Sequence, residues 1–338
     1  MFILFFIFVV MFEATNLKQK LLSKHFSFES LVFEVFYFQY KYNNIYRKFV
    51  DLNKININEI KKVEEIPFLP IQFFKTHQIC TQTNLPSLYF ESSGTTQTIN
   101  AKHYIVDEDL YQQNFIKGFQ QFFGNIEDYN IIALLPNYLE RQHSSLVYMF
   151  NHLIQLTKSN LSGFYLDDFH ALNQTLQKTK VSSKKTILLG VTYALLDFAA
   201  AYPQDLSHCI VMETGGMKGR KKEMTKYEVH EILKQAFSID DIFAEYGMTE
   251  LLSQAYSLKD GIYFCADTMR VFSRDIYNPK AFLHEPKRGV LNVIDLANIY
   301  SCAFIETQDV GIVYNHQEFE IIGRLDNSDI RGCNLMLH

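Results

Sequence analysis

There is no tryptophan in this chain of 338 residues, and proline and glycine are sparse, at 7 and 14. So little of either excludes a collagenous or low-complexity chain. Neither sign of charge dominates, since 32 Lys and Arg against 37 Asp and Glu leave a net charge of −5. A nucleic-acid binder, which needs a concentrated basic face, is therefore excluded. The five cysteines, Cys80, Cys209, Cys265, Cys302 and Cys333, include no Cys-x-x-Cys pair. Reduced thiols, mostly buried as small hydrophobes, are expected in place of a disulfide framework or a structural zinc site. The longest apolar run is confined to residues 1–12, too short to span a bilayer. It also lacks the basic n-region and small-residue cleavage site of a signal peptide. The segment is expected to be an unstructured extension, or to precede a true start at Met11. A cytoplasmic protein with no stable membrane insertion follows.

What is present is a large apolar inventory. Hydrophobic residues make up 48% of the chain, with 30 Phe and 20 Tyr. That is enough to bury a substantial core, in two domains or in one large α/β unit. Residues 16–52 read as helical, because Val35, Phe38, Tyr42, Ile45 and Phe49 recur at spacings of three and four. Pro67 and Pro70 hold residues 66–75 extended, as an arm packed on the core. Short apolar runs at 131–135, 163–166, 186–191, 208–212 and 241–244 alternate with helix-compatible stretches such as 141–156 and 224–237. This alternation predicts a doubly wound, mainly parallel sheet with flanking helices, whose ligands sit at the carboxyl ends of the strands. Beyond Gly261 the runs 262–264, 270–273, 290–294 and 319–322 predict a smaller β-rich part.

Five stretches carry chemistry. Ser92-Ser93-Gly94-Thr95-Thr96 ends a short apolar run with four hydroxyls around a glycine, which suits phosphate oxygens, although such runs are commonly plain turns. Gly215-Gly216 follows a predicted strand and precedes a predicted helix, where a flat base can lie against backbone; a tight βα turn accounts for it equally well. Tyr246-Gly247-Met248-Thr249-Glu250 offers a ring, a hydroxyl and a carboxylate suited to Mg²⁺ on a phosphate, and a capping role for Thr249 and Glu250 accounts for it equally well. Asp309, in Thr307-Gln308-Asp309-Val310-Gly311, suits two ribose hydroxyls. Arg324, in Gly323-Arg324-Leu325-Asp326, suits a phosphate or carboxylate. A turn or salt bridge explains each of these last two as well.

In this order the five resemble the adenylate-forming superfamily of acyl-CoA synthetases, luciferases and adenylation domains. A narrower resemblance, to the acyl-protein synthetases of the LuxE type, rests on several further stretches. These are Ile66-Pro67-Phe68-Leu69-Pro70-Ile71, Leu134-Leu135-Pro136-Asn137-Tyr138-Leu139-Glu140-Arg141 and Ser144-Ser145-Leu146-Val147-Tyr148-Met149. They continue with residues 213–219, 245–254, Asp295-Leu296-Ala297-Asn298 and Asp329-Ile330-Arg331-Gly332-Cys333-Asn334. The resemblance covers nearly the whole chain. It implies an adenylate-forming domain over 16–322 with its β-rich part at 261–322, a hinge motif and short tail over 323–338, and essentially no C-terminal domain.

The resemblance also implies a reaction. A carboxylic acid, expected to be a long-chain fatty acid, is joined to AMP from ATP with loss of pyrophosphate on Mg²⁺, and the acyl group then passes to a thiol. Carried over by position, Ser92, Ser93, Gly94, Thr95 and Thr96 surround the β and γ phosphates. Gly215, Gly216, Tyr246 and Gly247 hold adenine, Thr249 meets the α-phosphate, Glu250 the metal, and Asp309 the ribose with Arg324 nearby. Tyr138, Arg141, His143 and Ser144 lie between a predicted strand and helix and are candidates for the edge of the acyl pocket.

Two departures from the wider superfamily bear on mechanism. Its phosphate loop continues Gly-x-Pro-Lys, whereas here Lys102 stands displaced. Its larger members carry a C-terminal domain with a catalytic lysine, whereas no lysine follows Arg324 here. Adenylation therefore proceeds without that lysine or with a partner's help. In acyl-protein synthetases a cysteine near the C-terminus takes the acyl group, and Cys333 matches it. The stretch from Arg324 to Cys333 reaches at most about 30 Å, and Arg331 favours a thiolate. A buried, inert thiol is the plainer alternative. The acceptor beyond Cys333 is expected to be an acyl-CoA reductase or an acyl carrier protein. Delivery to a carrier protein or coenzyme A is the rival enzymatic reading, and a non-catalytic nucleotide- or acyl-binding subunit the rival outside enzymes.

Overall fold

A computed structural model describes residues 2–23, 25–81, 86–92, 99–136, 143–215, 224–278 and 281–325. In chain order the elements begin with α1 (Phe2–Leu22), α2 (Phe28–Tyr42), α3 (Asn44–Leu52), β1 (Leu69–Pro70), α4 (Phe73–Thr76), β2 (Tyr89–Glu91), β3 (Lys102–Tyr104) and α5 (Glu108–Phe123). Then come β4 (Tyr129–Leu134), α6 (Ser145–Leu156), β5 (Gly163–Tyr165), α7 (Phe169–Thr179), β6 (Lys185–Val191), α8 (Thr192–Ala201), β7 (Cys209–Thr214), α9 (Lys226–Phe237) and β8 (Phe243–Tyr246). Strands close the chain: β9 (Ala255–Ser257), β10 (Ile262–Cys265), β11 (Met269–Arg274), β12 (Phe282–Leu283), β13 (Arg288–Asp295), β14 (Phe304–Asn315) and β15 (Glu318–Arg324). Among the described residues no helix is long and apolar enough to cross a membrane. Contacts divide the chain into two compact units, one of residues 1–114, 248–253 and 265–338, the other of residues 115–247 and 254–264.

In the first unit the predicted helix over 16–52 is interrupted. Asn43 ends α2, and its side-chain oxygen then accepts from the N–H groups of Ile45 and Tyr46, each at 3.0 Å, to start α3. A buried residue that does both jobs turns the chain where periodicity alone reads straight through. The apolar N-terminal segment, expected to be unstructured, forms part of α1 instead. The arm is extended over its first half only. Tyr46 donates to the Pro67 carbonyl at 2.7 Å, and β1 pairs parallel with β14, Leu69 opposite Ile305. The Phe68 ring packs against Phe272, Phe282 and Phe304. Residues 73–76 turn into α4. Apart from the parallel β1, the strands of this unit run β12-β11-β13-β14-β15, each pair antiparallel. β14 and β15 form a hairpin in which Asp309 stands opposite Arg324. Gly311 lies where that register shifts, and a Cβ there would meet the Glu320 carbonyl oxygen at 2.0 Å. The predicted β-rich part is present, and β14, at 12 residues, is its longest strand although no apolar run marks it.

The second unit is the predicted parallel sheet. Strands run β5-β4-β6-β7-β8, all parallel, and β9 returns antiparallel to β8. Every residue of β4 is buried, as expected of a strand covered on both faces. Thr225 and Glu228 form a capping box that starts α9, two residues later than the periodicity suggests. Phe198 of α8 packs against Phe237 of α9 with ring centroids 5.9 Å apart. Together the two units are the mixed α/β architecture the sequence predicts, with a parallel-rich sheet and flanking helices.

Candidate active site

Each motif lies at the end of a strand or in a turn. Ser92 follows β2, and its hydroxyl accepts from the Ala101 N–H at 2.9 Å while its own N–H donates to the Ala101 carbonyl at 3.0 Å. Ser92 thus closes the neck of the β2–β3 hairpin. Ser93, Gly94, Thr95 and Thr96 lie outside the described residues, as do Tyr138, Arg141, Gly216 and Cys333. Lys102, next to that neck, pairs with Glu91 at 3.1 Å.

Thr249 and Glu250 sit in a turn, 248–251, within the stretch 248–253 that belongs to the first unit, although residues 247 and 254 on either side of that stretch belong to the second. The reason is a dense set of hydrogen bonds. His103 Nδ1 donates to the Thr249 carbonyl at 2.8 Å, and its Nε2 accepts from the Ser301 hydroxyl at 2.8 Å. These partners select the neutral tautomer with the proton on Nδ1. Burial alone pushes the His103 pKa down to about 4. The Asn298 amide donates to the Glu250 carbonyl at 2.9 Å. The buried Asp295 carboxylate accepts from the N–H groups of Leu252 and Ser253, at 2.6 and 2.9 Å, and from the Ser253 hydroxyl at 2.5 Å. Farther back, Gln39 and Asn43, one helical turn apart on α2, donate to the Asn298 and Ser301 carbonyls, each at 2.7 Å. Every partner of the turn is itself held, so its backbone position is over-determined.

Glu250 is 7% exposed. Burial pushes its carboxyl up to about 7, against its own backbone N–H and the charges of Arg324 and Lys75, and with Asp309 adding to the rise. Asp309 is largely covered and Arg324 is open to solvent, with Nε 3.8 Å from Oδ1. The hairpin therefore presents a carboxylate and a loosely paired guanidinium to the same electrostatic neighbourhood as Glu250. Glu250 fits a magnesium ion as one protein ligand. A buried carboxylate that is costly to ionise gains from a dication.

In the second unit Gly215 ends β7 with φ +68°, and its carbonyl accepts from the Thr192 hydroxyl at 2.9 Å. Tyr246 is buried at the end of β8, its ring edge-on to Tyr263 at 5.9 Å, and Gly247 is exposed. Glu213, Thr214 and Glu245, from the quoted stretches 213–219 and 245–254, take part in a buried polar cluster to which the sequence assigned no role. Glu213 pairs with Lys226 at 3.1 Å and accepts from Thr192 at 2.9 Å. The Thr214 hydroxyl donates to Glu245 at 2.5 Å, and burial pushes that carboxyl up to about 7. Ser144 caps α6, accepting from the Val147 N–H at 3.4 Å, and His143 is half-buried beside it. Three of the cysteines, Cys209, Cys265 and Cys302, are buried, and burial raises their thiols, those of Cys209 and Cys302 to about 12.

His103 escaped the sequence reading. One signal was available: Ala101, His103 and Ile105 alternate with Lys102 and Tyr104, which places the histidine on the buried face of a strand. Asn298 and Asp295 stood in a quoted motif, but nothing local connected them to residues some forty positions earlier.

Comparison with known proteins adds to this geometry. Residues 7–134 match the family model described as acyl-protein synthetase, LuxE. The long-chain-fatty-acid–luciferin-component ligase of Aliivibrio fischeri is 22% identical over 341 residues, covering 91% of this chain and 87% of that protein. Over residues 7–134 the chain is thus similar to the LuxE acyl-protein synthetases. Its fold is that of the adenylate-forming enzymes. A 2-hydroxyisobutyryl-CoA ligase in complex with 2-HIB-AMP and CoA matches with a TM-score of 0.65 at 11% identity, over 88% of this chain and 75% of that one. ATP-bound MatB from Rhodopseudomonas palustris matches with a TM-score of 0.53 at 16% identity, over 70% of this chain. The match spans about half of MatB, 47% of its length.

Proposed function

We propose that this LuxE-type protein is an AMP-forming ligase that activates a long-chain fatty acid as acyl-AMP and passes the acyl group to a thiol. The observation that carries the reading is the Thr249–Glu250 turn, locked from three directions and facing the charges of Asp309 and Arg324. The ligase from Aliivibrio fischeri supports the fatty acid as substrate class.

A carboxylate is a poor electrophile, so its oxygen first attacks the α-phosphorus of ATP, and the bond to the β-phosphate breaks. Preorganised groups at the developing charge make this possible. The Thr249 hydroxyl, on a turn that does not need to reorganise, donates to the α-phosphate. Asp309 takes the ribose hydroxyls, and Arg324, exposed and loosely paired, is available to an anionic group of the nucleotide. Gly215, Gly216, Tyr246 and Gly247 are assigned to adenine, and the hydroxyls of 92–96 to the outer phosphates. A magnesium ion held by Glu250 would neutralise phosphate charge. The thiol of Cys333, or that of a partner such as an acyl carrier protein or an acyl-CoA reductase, then takes the acyl group.

The test is fatty-acid-dependent ATP–pyrophosphate exchange over a panel of chain lengths. Exchange that peaks with long chains is expected. No exchange with any acid overturns the reading.

A further inference from the structure

Asp309 stands on a bulge. β13 and β14 pair Val290 with Val310 and Asn292 with Glu306, so Leu291 alone faces Thr307, Gln308 and Asp309. A bulge interrupts the ladder, and backbone groups that lose their ladder partners need others. The Thr307 hydroxyl supplies some of them, donating to the Leu291 carbonyl at 2.6 Å and accepting from the Asp309 N–H at 3.1 Å. The Leu325 N–H donates to the Gln308 carbonyl at 2.8 Å. The Thr307 carbonyl takes its hydrogen bond from farther away. Arg274 ends β11, which is separated from β14 by β13. Its side chain crosses β13, and Nη2 donates to that carbonyl at 3.2 Å.

The Arg274 guanidinium is itself held. Nε donates to the Asn292 side chain at 3.1 Å, and Nη2 also lies 3.0 Å from Glu306 Oε1. Arg274 is 5% exposed, and Asn292 and Thr307 are buried with it. Arg274 therefore grips β14 at Glu306 and Thr307, and the Thr307 hydroxyl in turn grips the Asp309 N–H. A buried ion pair adds little stability over apolar residues of the same volume, because both charges are taken out of water. What the planar fork does supply here is a fixed register for the bulge. Bulges re-aim side chains, and the side chain carried by this one is the carboxylate assigned to the ribose.

We infer that Arg274 is a positioning residue for ribose recognition, holding the Thr307–Asp309 bulge so that the Asp309 carboxylate meets the sugar hydroxyls. This rests on the ligase reading above, in which Asp309 takes the ribose. Without the guanidinium the buried Thr307 carbonyl loses its donor, the bulge shifts, and Asp309 moves with it.

The experiment compares ATP with 2′-deoxy-ATP and 3′-deoxy-ATP, each lacking one ribose hydroxyl, in wild type, Arg274→Lys, Arg274→Met and Val271→Ala. Val271 is buried on the same strand opposite Val293, so its truncation controls for lost stability alone. KM and kcat are measured in acid-dependent exchange, and binding of each nucleotide is measured by calorimetry without acid. Wild type is expected to prefer ATP over either analogue by about tenfold. Arg274→Met is expected to raise the KM for ATP about tenfold and that for the analogues less, with kcat little changed, so that the preference shrinks. Arg274→Lys, which keeps a charge beside Glu306 and loses the fork, is expected to fall between the two. Val271→Ala is expected to melt earlier and keep the full preference. Full preference in Arg274→Lys and in any folded Arg274→Met overturns the inference and leaves the ligase intact. A preference lost equally in Val271→Ala also overturns it, and so does a wild type that takes the three nucleotides alike. A wild type that exchanges with no acid overturns the ligase reading. In that case, binding that favours ATP in wild type and loses this preference in the Arg274 variants keeps the ribose inference, and binding without the preference overturns both.

Discussion

His103 Nδ1 lies 2.8 Å from the carbonyl oxygen of Thr249, so a residue of β3 holds the turn that carries Glu250, the proposed metal ligand. The link acts through backbone, and His103 is a positioning residue. His103→Ala leaves a buried carbonyl and the Ser301 hydroxyl without partners, and is expected to cost about 2–4 kcal/mol of stability. His103→Gln can replace only part of this geometry. It is expected to lower kcat for exchange more than it raises the KM for ATP. Denaturant titration and exchange kinetics on both variants check this; unchanged kinetics in a folded His103→Gln would remove its positioning role.

The same histidine sets an acid limit. Its folded pKa, about 4, lies below the ordinary value of 6.5 because burial disfavours the imidazolium. Between those values the unfolded chain binds more protons, so stability falls as pH drops. The contribution is complete above pH 6.5, is lost as pH falls through 4, and reaches about 3 kcal/mol. Melting temperatures from pH 7.5 to 4.5 should therefore fall more steeply in the wild type than in His103→Gln.

Glu250→Gln separates chemistry from folding. A carboxyl pushed up to about 7 by burial is costly to ionise, so the neutral isostere is expected to be as stable as the wild type above pH 7, or more so. Exchange is expected to fall by at least about a hundredfold, because the amide holds Mg²⁺ poorly. Full exchange in this variant would sink the metal assignment.

Cys333→Ser addresses the second half of the reaction. Exchange is expected to persist, since adenylation does not use the thiol, while the acyl adduct disappears from the intact mass. An adduct that survives would move acylation to another thiol, and Cys209, Cys265 and Cys302 are too deeply buried to serve.

Gly311→Ala probes the hairpin that pairs Asp309 with Arg324. The added methyl would meet the Glu320 carbonyl at 2.0 Å, so the strands must separate. A loss of about 2–4 kcal/mol is expected, with a raised ATP KM as Asp309 shifts. Thermal melts and KM measurement check both.

Much of the fold was legible because its signals are local. β4 and β6 are nearly continuous apolar runs, as strands buried on both faces must be, and they lie within one or two residues of their expected positions. β14 was not legible. It mixes Glu306, Gln308 and Asp309 with apolar residues, and its partners rather than its composition make it a strand. The break at Asn43 was hidden for a similar reason: helical periodicity continues across a residue whose capping role shows only in three dimensions.

Sequence by itself pointed to the proposed reaction class, because motifs resembling those of the adenylate-forming enzymes recur in one order along the chain. It also marked Cys333 and the displacement of Lys102. Only the tertiary structure decided what fixes Glu250. Its support comes from Asn298, His103 and Asp295, with Gln39 and Asn43 behind them, and every one of those bonds joins residues far apart in sequence. A motif records which side chain does the chemistry. The buried amides and carboxylate that immobilise its backbone are chosen by geometry, and that geometry exists only once the distant strands and helices have packed.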